Sequence, residues 1–297
     1  MVNGRFVIDA HCHIYPEKIA ARAVAGTDAF YGVTSVYDGT VETLLDRETA
    51  AGVDHFVIQS VATTPKQVNS INEFIARTVA AGEGRFTGLG TLHPDSTDLK
   101  GDVEHILELG LKGVKMHPDI QAFKIDDYRC LKIYELCEQN HLPVLLHTGD
   151  DRYDYSNPNR LLPVLEIYQD LTFIGAHLAG YSIWEEACDK LGHAPNLYVD
   201  CSSSFFRLST EKAEELIRRW GADRVLFGTD YPMWPAEKEL TALLDMGFTE
   251  EEYLRAASLG FSYRKLNKLI GNSIVVNVLV SIFEAMFEEK YKKDELI

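Results

Sequence analysis

The chain contains neither a long apolar run nor a surplus of basic residues, and each absence excludes a class of function. Its 297 residues include 29 Lys and Arg against 45 Asp and Glu, a formal net charge of -16. A nucleic-acid surface needs clustered Lys and Arg, so this charge argues against one. No stretch is apolar over the roughly 20 residues that span a membrane. We therefore expect a globular protein whose partner is a small molecule, with no nucleic acid and no membrane.

Cysteine is also scarce, and no disulfide framework is expected. The five cysteines are odd in number and widely scattered: Cys12, Cys130, Cys137, Cys188 and Cys201. No signal peptide precedes the first predicted strand, which favours a reducing, cytoplasmic compartment. Cys12 stands between two histidines on a predicted strand, so its side chain is expected to point to the opposite face.

Histidines and one aspartate, by contrast, stand at the ends of predicted strands. His11 and His13 close the first apolar run, and residues i and i+2 of a strand point to the same face. His147, His177 and Asp230 close three later apolar runs in the same way. Imidazole and carboxylate ligands suit a borderline-soft divalent metal. The pattern predicts a metalloenzyme.

Short apolar runs alternate with amphipathic stretches along most of the chain. After the first strand, strands are predicted at 54–59, 86–92, 113–117, 143–147, 172–177, 196–200 and 225–230. Helices are predicted at 40–51, 65–81, 98–109, 126–140, 158–169, 184–191, 210–220 and 236–245. Eight parallel strands joined by helices predict an α/β fold, a (β/α)8 TIM-like barrel. Active sites of such barrels lie at the carboxyl ends of the strands, where every candidate ligand stands.

The motifs that carry these residues resemble those of a known family. They are Ile8–His13, Gly113–Pro118, His147–Gly149, Gly175–His177 and Gly228–Pro232. Together they resemble the amidohydrolase superfamily, and within it the amidohydrolase-related branch that includes the aminocarboxymuconate semialdehyde decarboxylase type. The resemblance covers about residues 5–245. It implies a distorted barrel of the metal-dependent hydrolase type, with one or two divalent metals.

The resemblance also implies roles for individual residues. The expected ligands of one metal, zinc or alternatively manganese, are His11, His13, His147 and Asp230. Asp230 and His177 are the expected catalytic residues, with Asp230 moving protons and His177 orienting water. Lys115 matches a lysine that is carbamylated in binuclear relatives, and only in that form would it bring a second metal.

Two reactions fit this set of residues. The leading expectation is hydrolysis of a small amide, lactone or ester by a metal-activated water. The alternative is non-oxidative decarboxylation of a small unsaturated or aromatic acid, because the motifs of the two reactions overlap. A third class is a barrel that binds metal or ligand without turnover.

Substrate recognition is expected in the loops after the strands. Arg152 and Arg207 follow the fifth and seventh predicted strands, and either guanidinium can clamp a substrate carboxylate. The alternative is that each arginine pairs with a nearby Asp or lies in solvent. Lys115 and His117 share a strand face and are the other candidate substrate-binding residues.

The C-terminal segment departs from the family pattern. Residues 262–276 resemble the terminal segment of DNA cytosine-5 methyltransferases, although the nucleophile and cofactor motifs of those enzymes are missing. We expect a barrel domain at 1–257 and an atypical helical tail at 258–297. The tail is interpreted either as a fusion remnant or as a divergent helix that packs on the barrel or on a second copy in a homodimer.

Overall fold

The computed structural model describes residues 6–249, in which strands and helices alternate along the chain. The strands are β1 (Ile8–His13), β2 (His55–Gln59), β3 (Phe86–Gly88), β4 (Gly90–Thr91), β5 (Val114–Met116), β6 (Val144–Leu146), β7 (Phe173–Gly175), β8 (Leu197–Asp200) and β9 (Val225–Leu226). The α-helices are α1 (Glu17–Tyr31), α2 (Val41–Ala50), α3 (Val68–Ala81), α4 (Leu99–Glu108), α5 (Pro118–Gln121), α6 (Tyr128–Gln139), α7 (Pro158–Ile167), α8 (Trp184–Leu191), α9 (Thr210–Trp220) and α10 (Ala236–Leu244).

The strands form a closed parallel barrel. One sheet has the order β1-β2-β3 and the other runs from β4 to β9 in sequence order. The Leu89 amide, between β3 and β4, donates to the Ile58 carbonyl at 3.0 Å, so β3 and β4 are one barrel strand interrupted at Leu89. The Ala10 amide donates to the Phe227 carbonyl at 2.9 Å and joins the first strand to the last. The predicted eight-stranded TIM barrel is confirmed.

Buried apolar side chains form two layers around this barrel. A large outer cluster fills the space between the strands and the helices, and Cys12 belongs to it. A small inner cluster fills the barrel itself: Ala10, Val57, Leu89, Leu145, Ala176 and Leu226. Because the side chains of a strand alternate between the two faces, Cys12 packs outward while its histidine neighbours face the barrel mouth. All five cysteines are buried and free.

Two predicted strands run two or more residues past the ends of those observed, and the reason lies in the backbone. The predicted strand 172–177 ends at Gly175, and the predicted strand 225–230 ends at Leu226. His177 has a φ of 61° and Asp230 a φ of 56°, in the left-handed region that no strand adopts. Both residues therefore stand on turns that follow the strands, where their side chains are held above the barrel.

Two helices were not predicted, and both border the barrel mouth. Helix α1 follows β1 and ends at Tyr31. The next residue, Gly32, has a φ of 67°, which suits a glycine after a helix. Helix α5 is a single turn after β5, and His117 caps it by accepting a hydrogen bond from the Ile120 amide. The α1 segment is rich in alanine, which favours helix, but it lacks a side-chain cap at its start.

Between residues 6 and 249, no helix is both long and apolar enough to cross a membrane. The predicted domain boundary after residue 257 and the predicted helical tail at 258–297 lie outside the described residues.

Candidate active site

Three of the predicted ligands converge at the barrel mouth. The Nε2 atoms of His11 and His13 lie 3.2 Å apart. The Asp230 Oδ1 atom lies 3.4 Å from His11 Nε2 and 3.7 Å from His13 Nε2. All three side chains are at least mostly buried. Two imidazole nitrogens and a carboxylate oxygen around one point are the donors that zinc and manganese accept.

Asp200 fixes the orientation of His11. The Nδ1 atom of His11 lies 2.9 Å from Asp200 Oδ2, so Nδ1 carries the proton and Nε2 presents its lone pair to the site. Burial alone would raise the pKa of Asp200, but His11, His177 and the Ser202 hydroxyl hold it well below its usual value. A carboxylate that receives the second ring N–H is the usual partner of a metal-binding histidine.

Asp230 is anchored through its second oxygen. The Ser203 hydroxyl donates to Asp230 Oδ2 at 2.6 Å, and the Trp234 indole N–H donates to Ser203 Oγ at 2.8 Å. Burial acts to raise the pKa of Asp230, but the neighbouring histidines, His11 foremost, and the Ser203 hydrogen bond lower it to about 2. The carboxylate is therefore ionised, with Oδ1 directed at the histidines.

His177 and His147 lie beside this group. His177 Nδ1 lies 3.0 Å from the Ser202 carbonyl, which can only accept, so Nδ1 carries the proton. His177 Nε2 lies 3.0 Å from His147 Nδ1. Burial lowers the pKa of His177 to about 4 and that of His147 well below its usual value, and like charges nearby add to the effect on His147. Both imidazoles are neutral, the form that binds a metal.

His147 belongs to a second group of potential ligands. Its ring stacks on that of His117 with centroids 4.0 Å apart, and its Nε2 atom lies 3.6 Å from Asp119 Oδ2. Burial raises the pKa of Asp119 to about 7, although hydrogen bonds from Ser156 act in the opposite direction. The donor atoms of these three residues lie within 4.8 Å of one another, as do those of His11, His13 and Asp230. That His147 joins the first group around one metal stays a prediction.

Comparison with known families identifies the chain. The model of a family described as amidohydrolase matches residues 8–259. The chain belongs to this amidohydrolase family. The family is one of metal-dependent enzymes, and the buried His and Asp groups at the barrel mouth fit a divalent ion.

Similar proteins agree with this assignment. A 2-amino-3-carboxymuconate-6-semialdehyde decarboxylase of Dictyostelium discoideum is 33% identical over 88 residues, which is 28% of this chain and 24% of that protein. The match thus spans about a quarter of that relative's length.

Solved structures show the same barrel. An uncharacterised TIM-barrel protein of Bordetella bronchiseptica superposes with a TM-score of 0.73 at 22% identity, covering 89% of this chain and 99% of that one. A dihydroxybenzoic acid decarboxylase of a Polaromonas species, solved with bound manganese, has a TM-score of 0.62 at 17% identity and covers 90% and 97% of the two chains. Further structures of this fold include other decarboxylases of aromatic acids and a probable dicarboxylic acid hydrolase. At these identities the likeness shows the fold alone.

Lys115 lies directly beside the amidohydrolase ligand group. Its Nζ atom is 3.1 Å from His11 Nε2, and the side chain is fully buried. Burial lowers the pKa of Lys115 to about 8, although the Asp200 and Asp230 carboxylates act in the opposite direction. The ammonium therefore gives up its proton more readily than that of an exposed lysine, as carbamylation requires.

The two predicted arginines have different surroundings. Arg152 donates to both oxygens of Asp150 and, at 2.6 Å, to the Phe30 carbonyl near the end of α1. Arg207 lies over the rings of Tyr181 and Phe206, 5.9 and 5.2 Å from their centroids, and forms no ion pair with any residue from 6 to 249. Arg207 is therefore available to a ligand, whereas Arg152 is already held by protein groups.

A cavity of about 530 Å³ connects the ligand group to the surface between α1 and α3. Its inner end is lined by polar site residues: His13, Lys115, His117, His147, His177, Asp230 and Tyr31. Its outer part is lined by apolar side chains that include Ile19, Phe30, Ile71 and Phe74. A volume in this range suits a small organic ligand.

Sequence reasoning missed Asp200, Ser203, Asp119 and Tyr31. Asp200 ends a strand in the same way as the predicted ligands, and this position was a signal that could have identified it. Tyr31 gave no such signal, because it lies on a helix that was not predicted.

Proposed function

We propose that the chain is a hydrolase that cleaves a small amide, lactone or ester with a metal-activated water. The observation that carries the proposal is the convergence of His11, His13 and the ionised Asp230 on one point at the inner end of the cavity. A divalent ion held there, zinc or manganese, would lower the pKa of water towards neutrality and polarise the substrate carbonyl.

Side chains of the protein would accept and donate the protons of this reaction. Asp230 stays ionised across the working pH range, so its Oδ1 atom is free to take a proton from the attacking water and to return it to the departing nitrogen or oxygen. His177 lines the cavity and is held by the Ser202 carbonyl through Nδ1, and its Nε2 acceptor, shared with His147 Nδ1 at 3.0 Å, would orient that water. The water oxygen becomes bonded to the carbonyl carbon, and the scissile C–N or C–O bond breaks.

Non-oxidative decarboxylation of a small unsaturated or aromatic acid is the second candidate. The relative from Dictyostelium discoideum, a decarboxylase of an amino-carboxymuconate semialdehyde, supports it. In that reaction the C–C bond to the carboxylate breaks, and the carbon that loses CO₂ receives a proton.

The test is a parallel screen of zinc-loaded and manganese-loaded protein against lactones, amides and carboxylic acids. Acid release and CO₂ release are both recorded. Hydrolysis without CO₂ supports the first proposal, and CO₂ release from an acid replaces it with the second. The Asp230→Asn variant should abolish either activity. A folded wild-type protein that binds neither metal after supplementation would refute both.

A further inference from the structure

His117 is held in one protonation form by the turn that it caps. The Ile120 amide N–H lies 3.2 Å from His117 Nδ1. Because an N–H group can only donate, Nδ1 must accept and carries no proton. The His117 amide also donates to Gln121 Oε1 at 2.7 Å, and the Gln121 amide nitrogen donates to the carbonyls of Ala62 and Leu92. The ring is therefore neutral, fixed in position, and protonated on Nε2.

This arrangement makes His117 a poor metal ligand and a good donor. A metal at Nε2 would require the proton to move to Nδ1, where it would meet the Ile120 N–H. Instead Nε2 lies 2.6 Å from the Tyr31 hydroxyl oxygen. The Nε2–H group thus donates to Tyr31, and the tyrosine oxygen is the acceptor.

The Tyr31 hydroxyl proton is left without a good acceptor. The next polar atoms among the described residues are the two ring nitrogens of His147, both at 3.4 Å. A point equally distant from both nitrogens does not lie on the lone-pair axis of either, so neither accepts well. Tyr31 and His147 both line the cavity. The proton is consequently available to a ligand there.

The side chain of Arg152 packs against Tyr31 and fixes its position. The Arg152 guanidinium lies 5.3 Å from the centroid of the Tyr31 ring and 4.9 Å from that of Phe30. Arg152 also binds the Phe30 carbonyl and Asp150. Arg152 therefore holds the end of α1, which carries the tyrosine.

We propose that the Tyr31 hydroxyl, set as a donor by His117, binds a carboxylate oxygen of the substrate. The inference rests on the proposed function, because it places that carboxylate between Tyr31 and the residues that would hold the metal. It assigns substrate recognition to a helix that carries none of the predicted site residues.

Two probes that differ in one carboxylate test this assignment: 2,6-dihydroxybenzoate and resorcinol. Binding to zinc-loaded wild type, Tyr31→Phe and Tyr153→Phe is measured by calorimetry. Tyr153 stacks on Phe30 outside the cavity lining and is the matched control. Tyr31→Phe should weaken dihydroxybenzoate binding about tenfold or more and resorcinol binding less than about twofold. Tyr153→Phe should change neither.

Equal binding of dihydroxybenzoate to wild type and Tyr31→Phe would overturn the proposal, as would a wild type that does not favour the carboxylate probe. A second readout needs no probe: the ¹⁵N spectrum of the histidines should show His117 protonated on Nε2, with that resonance shifted in Tyr31→Phe. Protonation on Nδ1 would also overturn it. Because neither readout requires turnover, failure of the proposed hydrolysis or decarboxylation is seen separately in the activity screen.

Discussion

The two halves of the site are built differently. On the half formed by β1, β8 and β9, two of the three ligand side chains are fixed through a second polar atom. His11 is held by Asp200, and Asp230 by Ser203. On the half formed by β5, β6 and α5, burial raises the pKa of Asp119 to about 7, and the rings of His117 and His147 stack face to face.

The difference separates two tasks. A metal needs donors that are in place before it arrives, because reorganisation would reduce its affinity. On the other half, burial raises the pKa of the Asp119 carboxyl to about 7, and a carboxyl group that keeps its proton is poorly suited to bind a cation. We therefore interpret the β1, β8 and β9 half as the metal-holding half and the β5, β6 and α5 half as the substrate-facing half.

Replacing one histidine in each half should show the largest difference in zinc affinity between the two halves. His11→Ala removes an anchored donor and should abolish binding of one zinc per chain. His147→Ala should weaken zinc affinity without abolishing it, because His11, His13 and Asp230 remain. Chelator competition and elemental analysis measure both. Unchanged affinity in His147→Ala would show that the predicted ligand role of His147 is wrong and that it serves the substrate-facing half alone.

Replacing the carboxylates that lie beside the histidines of the two halves should give the next largest effect on zinc affinity. Asp200→Asn cannot accept the His11 Nδ1 proton as strongly, so zinc affinity should fall by roughly 10- to 100-fold. Asp119→Asn is the matched control, a buried aspartate on α5 that lies 3.6 Å from His147 Nε2. Its zinc affinity should change less than about threefold. Equal losses in the two variants would remove the distinction between the halves.

The sequence predicted the metal-holding half better than the other. Period-two patterning placed His11 and His13 on one strand face, and the barrel topology brought Asp230 beside them. The substrate-facing half depends on α1 and α5, which follow strands where helices were not expected. The contact between Tyr31 and His117 joins residues 86 positions apart, and no local pattern encodes it. For Arg152 the sequence left open a pairing with a nearby Asp, and the structure shows that pairing, with Asp150 as the partner.

Loosening Arg152 should affect the substrate-facing half only. Arg152→Lys keeps the charge but loses the forked contact with Asp150 and the stacking on Phe30 and Tyr31. Dihydroxybenzoate binding should weaken several-fold, and zinc affinity should be unchanged. Arg129→Lys, at an arginine that is ion-paired with Asp95 and Asp127, is the control. A loss of zinc affinity in Arg152→Lys would show that the halves are coupled.

The smallest effect on function is expected from a substitution at a buried glutamate that contacts the helix following Asp230. Glu48 on α2 accepts from the Ala236 amide at 3.0 Å, at the start of the helix that follows Asp230, and its Oε1 atom has no partner among the described residues. Burial, with smaller contributions from nearby carboxylates, raises the pKa of Glu48 to about 8. Between the ordinary carboxyl pKa and pH 8, the folded protein holds a proton that the unfolded chain has released.

Stability should therefore fall as pH rises through that window. Glu48→Gln keeps the acceptor oxygen for Ala236 and removes the titration. We expect it to raise the free energy of unfolding at pH 8 by on the order of 2 kcal/mol relative to wild type, with no gain at pH 5. Urea unfolding at the two pH values measures this, and Glu42→Gln, an exposed residue of the same helix, should show no such difference. A Glu48→Gln variant that is less stable than wild type at pH 8 would mean that Glu48 is ionised and paired in the folded protein. Zinc affinity would then depend on the contact between Glu48 and the helix that follows Asp230.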